Sequence, residues 1–240
     1  GGYRREGADW TPERERRTSI RAPRDGTNPA LVLTAGELQL AHLVLTGPFP
    51  EGDGPVESQA VDVRDAALVL HDAVVRGATP RGSRSRGWGV RLHGGSLRAF
   101  ASTVEGGTSV GANELEEPRG AAASTGIEAR DDASVRLVGC ILGAGSARAA
   151  DRVAMSAIDQ RGGTLHVTGS RFDGSSFGEY RNGDEPGLAF GIRAAAAQVV
   201  LAGNELIRAP AITGGAAEAR VAVLDLDASP AILVDNGIDG

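Results

Sequence analysis

Several residue types that carry familiar chemistry are scarce in this chain of 240 residues. Its one cysteine, Cys140, excludes an internal disulfide and a zinc site built from several thiolates. No lysine is present, so all 25 basic side chains are arginine, and only 4% of the residues are aromatic. With a net charge of −6, the chain lacks both the basic balance and the stacking rings that are typical of a nucleic-acid-binding protein.

Long apolar runs are also missing. No run approaches the roughly 18 residues needed to cross a bilayer, so no membrane insertion is expected in this chain. The sequence shows no signal peptide and begins with Gly1 rather than Met, so we expect a processed or trimmed start. Glycine is frequent at 35 residues, which disfavours long helices because each glycine costs about 1 kcal/mol inside one. The composition therefore predicts many short strands.

One template recurs along the chain. A small residue followed by a branched apolar one marks the start of each copy, and a second apolar alternation follows shortly after it. The small residues are Ala30, Ala60, Gly89, Gly126, Ala157, Gly191 and Ala211. The second alternations read ELQLAHLVL, ALVLHDAVV, SLRAFASTV, SVRLVGCIL, TLHVTGSRF and QVVLAGNEL. Self-similarity with a period of about 30 residues indicates a solenoid.

Each copy contains three short strands and one connection of variable length. Consecutive small residues lie 30, 29, 37, 31, 34 and 20 positions apart, and almost all of the variation falls after the third strand. An antiparallel sandwich would not keep its variable loop at the same place in every repeat. The pattern predicts an all-β, right-handed parallel β-helix over residues 28–240 with about seven coils, preceded by an entry module over residues 1–27.

The residue just before each third strand is small and mostly polar. Down successive coils this position holds Ala73, Ser102, Cys140, Ser170 and Asn204. Parallel strands stack about 4.8 Å apart, so these residues are expected to form a ladder of hydrogen bonds at a tight turn. Cys140 is then a buried structural thiol, whereas a nucleophile would need a nearby base, and the four histidines lie on different coils.

This order of strands, with a short polar turn and a long variable loop, resembles the pectin-lyase-like superfamily of right-handed β-helices from Asn28 onward. The resemblance implies the fold, and it places function on the outer face of the first strand and on the loops that border it. The Asn-Thr-Asp, Gly-His-Gly and Arg-Ile-Lys motifs of active polygalacturonases are absent. The pair Asp131 and Asp132 lies in a turn rather than on the first strand, so the catalytic aspartates of the family are not assigned to it.

Residues 1–20 resemble a linker module of large bacterial surface proteins that are built from β-helices. The matching residues are Gly1, Gly2, Tyr3, Trp10, Arg17, Thr18 and Ile20. In that module Gly-Gly-Tyr closes one coil and Arg-Thr-x-Ile resumes the helix, so the resemblance implies at least one coil before Gly1. It also implies an extracellular or cell-surface location in a bacterium.

The residues predicted to point outward from the first strand form two columns. Two positions after each small residue the column reads Val32, Asp62, Arg91, Glu128, Asp159 and Arg193. Four positions after it the column reads Thr34, Arg64, His93, Arg130, Arg161 and Ala195. Such a face is either a solvated surface whose opposite charges pair between coils, or a site for an anionic ligand, because guanidinium groups bind carboxylate and phosphate bidentately.

A catalytic interpretation of the same face uses Glu128 and Asp159 as a carboxylate pair on neighbouring coils. Retaining glycosidases hold their two carboxyl groups about 5–5.5 Å apart, which stacked strands allow. Arg130 and Arg161 flank the pair, and His93 is a candidate general base near neutral pH. The structural alternative is that all five side chains belong to a charged, solvated surface.

Two predicted loops add candidates for ligand contact. The loop at 76–88 ends in Trp88, whose ring is of the kind that stacks on a sugar or a base. The loop at 173–190 carries Glu179, Tyr180 and Asp184. It is the best candidate for a carbohydrate or Ca²⁺ contact, because hard cations prefer clustered oxygens. No other cofactor is expected.

Two functional hypotheses remain. The first is a non-catalytic, surface-exposed or secreted β-helix scaffold or adhesin that binds a glycan or a protein partner. The second is a polysaccharide lyase or glycoside hydrolase that acts on acidic glycans through the outer face of the first strand. Cleavage of a glycan that depends on Glu128 and Asp159 would favour the second over the first.

Overall fold

The chain winds into an all-β parallel β-helix of about six turns, which confirms the predicted fold class. The computed structural model describes residues 17–24, 26–111, 120–149, 151–173, 176–180, 186–206, 211–213 and 219–238. It describes the backbone alone for Gly2–Glu6, Asp9–Glu13 and residues 173, 180 and 238. Within this part of the chain every regular element is a β-strand.

The first sheet contains seven parallel strands, one from each successive coil. They are Leu31–Leu33, Pro55–Arg64, Arg84–His93, Ala121–Arg130, Arg152–Arg161, Leu188–Ala195 and Arg220–Asp227. Neighbouring strands are in register, with Val61 opposite Val90 and Val90 opposite Ile127. At the small residue of each copy the alternation of inward and outward side chains breaks. Ala60 and Val61 are an example, since they are consecutive and both are fully buried.

The second and third sheets complete the predicted three-strand coil. The second sheet contains Glu37–Ala41, Ala67–His71, Ser96–Phe100, Ser134–Val138, Thr164–Thr168, Gln198–Ala202 and Ala231–Val234. The third contains Thr18–Arg21, Leu43–Thr46, Val74–Arg76, Thr103–Glu105, Ile141–Gly143, Arg171–Asp173, Glu205–Leu206 and Gly237–Ile238. All pairings within both sheets are parallel.

A fourth sheet occupies part of five of the connections that the pattern predicts as variable loops, beginning with the one after Arg76. Its strands are Arg81–Gly82, Thr108–Gly111, Ser146–Ala149, Phe177–Tyr180 and Ala211–Thr213. Much of the remaining connection is the first half of the next first-sheet strand. Its inward residues include Ser58, Ser85 and Ser124, which are buried but not apolar. The apolar alternation that identifies a strand is therefore missing there.

The segment at the N-terminal side is partly described. Gly2–Glu6 and Asp9–Glu13 form an antiparallel hairpin. Thr18–Arg21 pairs with Leu43–Thr46 and is the outermost strand of the third sheet, so the Arg-Thr-x-Ile segment leads into that sheet. The side chain of Trp10, one of the residues that match the linker module, lies outside the described part of the chain.

The final copy of the template was misplaced at Ala211. That residue begins a strand of the fourth sheet, and the true counterpart on the first sheet is Arg220–Asp227, in which Leu224 lies opposite Ile192. Seven first-sheet strands delimit six complete turns between them, so the chain makes about six turns rather than the predicted seven coils.

The inward residues of the second sheet form the centre of the main core. The predicted pairs are all buried, and they are Leu68/Leu70, Leu97/Ala99, Val135/Leu137, Leu165/Val167 and Val199/Leu201. Full burial of one Val or Leu side chain contributes about 1.5–3 kcal/mol to folding. A second, smaller core around Met155 packs the fourth sheet against the first half of the first sheet.

Between the second and third sheets, hydrogen bonds connect successive coils at the predicted ladder position. The Ser102 hydroxyl oxygen accepts from the Ala73 backbone N–H at 3.1 Å, and the Ser170 hydroxyl oxygen accepts from the Cys140 N–H at 3.0 Å. Asn204 Oδ1 accepts from the Ser170 N–H at 2.9 Å. The series continues to Asn236, whose Oδ1 accepts from the Asn204 N–H at 3.1 Å.

Cys140 is a buried member of this ladder. Burial raises the pKa of its thiol, and hydrogen bonds with the backbone of Ser102 and Val138 oppose that rise. The thiol therefore stays protonated at neutral pH, which is the opposite of what a nucleophilic cysteine requires. Sulfur is also a weak acceptor, so this is the weakest rung of the ladder.

The residue before each ladder position has a left-handed backbone. These residues are His42, Asp72, Ala101, Gly139, Gly169, Gly203 and Asp235, with φ between 45° and 62°. Glycine adopts this conformation without penalty, whereas other residues pay about 1–2 kcal/mol. At Gly203 no heavy atom lies within 4 Å of an added Cβ, so only the backbone penalty distinguishes glycine from alanine.

We expect Cys140→Ser to leave the fold intact and to raise the free energy of unfolding by up to about 1 kcal/mol, because an oxygen replaces a weak sulfur acceptor. Ser170→Ala is the matched control, and it should cost about 1–2 kcal/mol because it removes the acceptor for the Cys140 N–H. Urea denaturation of the two variants measures both values. A Cys140→Ser variant less stable than Ser170→Ala would contradict the ladder.

Exchanging glycine and alanine at the left-handed position should have opposite effects in two coils. Gly203→Ala is expected to lower the free energy of unfolding by about 1 kcal/mol, and Ala101→Gly to raise it by a similar amount or less. Thermal and urea unfolding measure the changes. Shifts of the same sign at both positions would show that the backbone conformation is not their cause.

Candidate binding face on the first sheet

The outward residues of the first sheet form the two predicted columns. The inner column runs through Asp62, Arg91, Glu128, Asp159, Arg193 and Asp225, each opposite the next in register. The outer column includes Arg64, His93, Arg130, Arg161, Ala195 and Asp227. Because neighbouring strands lie about 4.8 Å apart, each charge from Arg91 to Arg193 lies between the charges of two other coils.

The inner column is recessed rather than solvated. Asp62 and Glu128 are each only 2% exposed, although both side chains point away from the core. Outward residues just before the break in alternation are also buried, with Trp88 at 5% and Phe190 at 3% exposed. The two parts of the strand therefore cover some of each other's outward side chains, and this partly buried row of charges along the helix axis is here named the groove.

Each carboxylate of the groove is paired with arginine. In three coils the partner is the arginine two residues later on the same strand. Arg64 lies 2.7 Å from Asp62, and Arg161 lies 3.0 Å from Asp159. Arg130 pairs with Glu128 in the same way. Arg91 approaches Glu128 from the neighbouring coil at 3.4 Å, and Arg193 approaches Asp225 at 3.5 Å.

The pairing also affects the arginines. A side-chain hydrogen bond and the charge of Asp62 raise the pKa of Arg64. The hydrogen bond to Asp159 is the main cause that raises the pKa of Arg161. These guanidinium groups are held as cations beside their acidic partners, so the groove is a row of ion pairs.

Aromatic rings border the groove beneath arginine side chains. The Arg91 guanidinium lies 4.4 Å from the centre of the Trp88 ring. Arg193 and Arg220 lie 5.6 and 5.7 Å from the Phe190 ring. Trp88 belongs to a first-sheet strand rather than to a loop, and cation–π contact with Arg91 occupies the ring that was predicted to stack on a ligand.

Some buried polar atoms in the groove have no hydrogen-bond partner within the described part of the chain. They are Asp62 Oδ1, Arg91 Nε, Glu128 Oε2 and Arg130 Nε. Three of the four belong to the cluster of Glu128 with its two arginines. Arg91 Nε and Glu128 Oε2 face each other as an ion pair at 3.4 Å, so their charges are compensated although no hydrogen bond forms between them.

The structure does not bring the other candidates into this cluster. His93 is 3.3 Å from Asp131 in the adjoining turn, and its register neighbours are Arg64 and Arg130. Glu179 lies on the fourth sheet, 3.8 Å from Arg148, and Tyr180 ends the same strand. Asp184 lies outside the described residues.

Arg220 and Asp225 belong to the groove but were not among the predicted site residues. Arg220 contacts Asp225 at 2.6 Å and lies over the Phe190 ring. They were missed because the last copy of the template was placed at Ala211. A step of 32 residues from Ile192 reaches Leu224, which is close to the usual period and would have located them.

The described residues contain neither a cluster of metal ligands nor a helix that could span a membrane. Among the described side chains, no group of three or more His, Cys, Asp and Glu residues is placed to hold a metal ion. In the described part of the chain no helix is long and apolar enough to cross a bilayer. Ca²⁺ binding at the 173–190 segment stays a prediction, because part of that segment lies outside the described residues.

Comparisons with protein-family models, with curated proteins and with solved structures give no match. What is established about the chain is therefore its fold, a parallel β-helix with an ion-paired groove on its first sheet.

We expect Glu128→Gln to lower the free energy of unfolding by about 2 kcal/mol, because it leaves two guanidinium groups without a buried counter-ion. Asp159→Asn is the matched control. It should cost less than about 1 kcal/mol, since the Arg161 side chain is 47% exposed and remains hydrated. Urea denaturation compares the two, and equal losses would contradict a buried role that is special to Glu128.

Proposed function

We propose that the protein is a non-catalytic, secreted or surface-exposed β-helical scaffold that binds a glycan or a protein partner. The observation that carries the proposal is the pairing of the groove carboxylates with arginine at Asp62, Glu128 and Asp159. A general acid or a nucleophile must contact its substrate. Asp62 and Glu128 are instead each only 2% exposed, and their carboxylates contact arginine side chains.

The groove is suited to binding rather than to reaction. Its ion pairs present charges of both signs along the helix axis, and rows of fixed charge contribute orientation and specificity to a complex. The rigid coil-to-coil register holds these charges in place before any partner arrives, which reduces the entropy lost on binding. A surface or secreted location in a bacterium, as in the pectin-lyase-like proteins that the sequence resembles, belongs to this proposal.

The alternative is a polysaccharide lyase or glycoside hydrolase. One observation favours it: Glu128 and Asp159 lie directly opposite each other on neighbouring strands. Strand neighbours lie about 4.8 Å apart and retaining glycosidases hold their two carboxyl groups about 5–5.5 Å apart, so this register is compatible with such a pair. The proposals therefore differ in what these two residues do, and a cleavage assay separates them.

The assay incubates the protein with a panel of acidic polysaccharides and measures new reducing ends and unsaturated uronate products. We expect no product from the wild-type protein or from the variant that combines Glu128→Ala with Asp159→Ala. Glu37→Ala, which removes an exposed carboxylate from the second sheet, is the control. Cleavage by the wild type and Glu37→Ala that disappears in the double variant would refute the scaffold proposal and support the enzyme.

A further inference from the structure

A second recess lies at the corner where the third sheet passes into the fourth. It has a volume of about 650 Å³ and is lined by residues of six successive coils, from Arg21 at one end to Ser176 at the other. This volume is within the range of about 300–1,000 Å³ that is typical of ligand sites. The recess is elongated along the helix axis, because each coil contributes only a few lining residues.

Three arginines line one end of this recess. Arg21, Arg24 and Arg76 are exposed, and none forms an ion pair or a side-chain hydrogen bond within the described part of the chain. Arg21 and Arg76 both lie opposite Thr46 in register, so their backbones are about 10 Å apart. These three arginines therefore differ from those of the groove, such as Arg64 and Arg130, whose guanidinium groups already have carboxylate partners.

One carboxylate lies where the arginine-lined end of the recess stops. Glu105 lines the recess and lies opposite Arg76 in register, on the same face of the third sheet. Beyond Glu105 the lining is neutral, with Thr108 and Ser146 on the fourth sheet. A ligand that is negative along its whole length would be repelled at Glu105, whereas a neutral hydroxyl group can donate a hydrogen bond to it.

The floor of the recess is rigid backbone. Gly47 and Gly77 donate hydrogen bonds to the carbonyls of Arg76 and Glu105, each at 2.9 Å. A Cβ at Gly77 would lie 2.3 Å from the Gly107 nitrogen, so the coils approach too closely here for any side chain. The lining is therefore fixed in place, which favours binding by reducing the cost of ordering.

We propose that this recess binds an oligosaccharide that carries one acidic sugar at its end and neutral sugars along the rest. Arg21, Arg24 and Arg76 would bind the carboxylate or sulfate of the acidic sugar bidentately. Phe49, which is 44% exposed beside them, offers a ring face for the apolar side of a sugar. Thr108 and Ser146 provide hydroxyl groups that both donate and accept hydrogen bonds, as sugar hydroxyls require.

This inference rests on the proposed function, since it identifies a glycan site on the same scaffold. The glycan site and the scaffold function can still be refuted separately. The recess is on the third and fourth sheets, so substitutions in it leave the ion-paired groove of the first sheet unchanged. Cleavage through Glu128 would refute the scaffold without affecting the binding measured at the recess.

The test is isothermal titration of the whole chain with sialyllactose, and with a trisaccharide of the same neutral part that ends in glucuronate. Lactose is the neutral control. At least one acidic probe should bind, and Arg76→Ala and Arg21→Ala should each weaken it by about tenfold or more, because each removes a charge-assisted hydrogen bond. Which acidic probe binds more tightly distinguishes a sialic acid from a uronic acid.

Arg136→Ala is the matched control, because Arg136 lies on the second sheet, away from the recess, and forms no ion pair within the described residues. It should bind the probe as the wild type does. Trigalacturonate should bind more weakly than the singly charged probes, and Glu105→Gln should strengthen its binding several-fold.

Four results would overturn the proposal. They are no binding of either acidic probe by the wild type, unchanged binding in Arg76→Ala and Arg21→Ala, trigalacturonate binding as tight as that of sialyllactose, and competition by inorganic phosphate as effective as that by the sugar. Unfolding curves recorded on each variant show that a loss of binding is not a loss of fold.

Discussion

Every position in this chain must be compatible with its own counterpart one coil away. Parallel strands place the two about 4.8 Å apart, so each side chain has a near copy of itself as a neighbour. In the core this places apolar residues against apolar residues, such as Leu97 against Val135. On the outer face it places charge against charge. Asp62 meets Arg91 favourably, whereas Glu128 meets Asp159 and each depends on an arginine of its own strand.

Two groups of arginines in the protein have different surroundings. Those of the first-sheet groove, such as Arg130 and Arg161, have carboxylate partners and contribute to a fixed charge pattern. Those at the corner of the third sheet, Arg21, Arg24 and Arg76, have none within the described residues. Because a guanidinium without a counter-ion retains its capacity for an external anion, the second group is better placed to recognise a ligand.

The main features of the fold were predictable from the sequence because the second-strand alternation is strongly apolar, as at Leu68 and Leu70. The fourth sheet was not, because its strands are only two to four residues long. The first half of each first-sheet strand was not either, since buried serines such as Ser58 and Ser124 conceal its inward positions. The charge columns were predictable from the register of the repeats. Their burial was not, because it depends on how the two parts of one strand cover each other, as Arg91 covers Trp88. Arg91 and Trp88 are three residues apart on one strand, and the in–out alternation of a strand does not predict a contact between them.

The coil-to-coil hydrogen bonds have a mechanical consequence. They run along the helix axis, and at one coil boundary they include the backbone bonds of several sheets together with the ladder bond from Cys140 to Ser170. Tension along the axis would load all the bonds of a boundary at once. Tension on the polypeptide itself would peel one coil from the next, breaking them a few at a time, because each coil contacts only its neighbours. The protein should therefore resist stretching as a rod far better than unwinding as a thread.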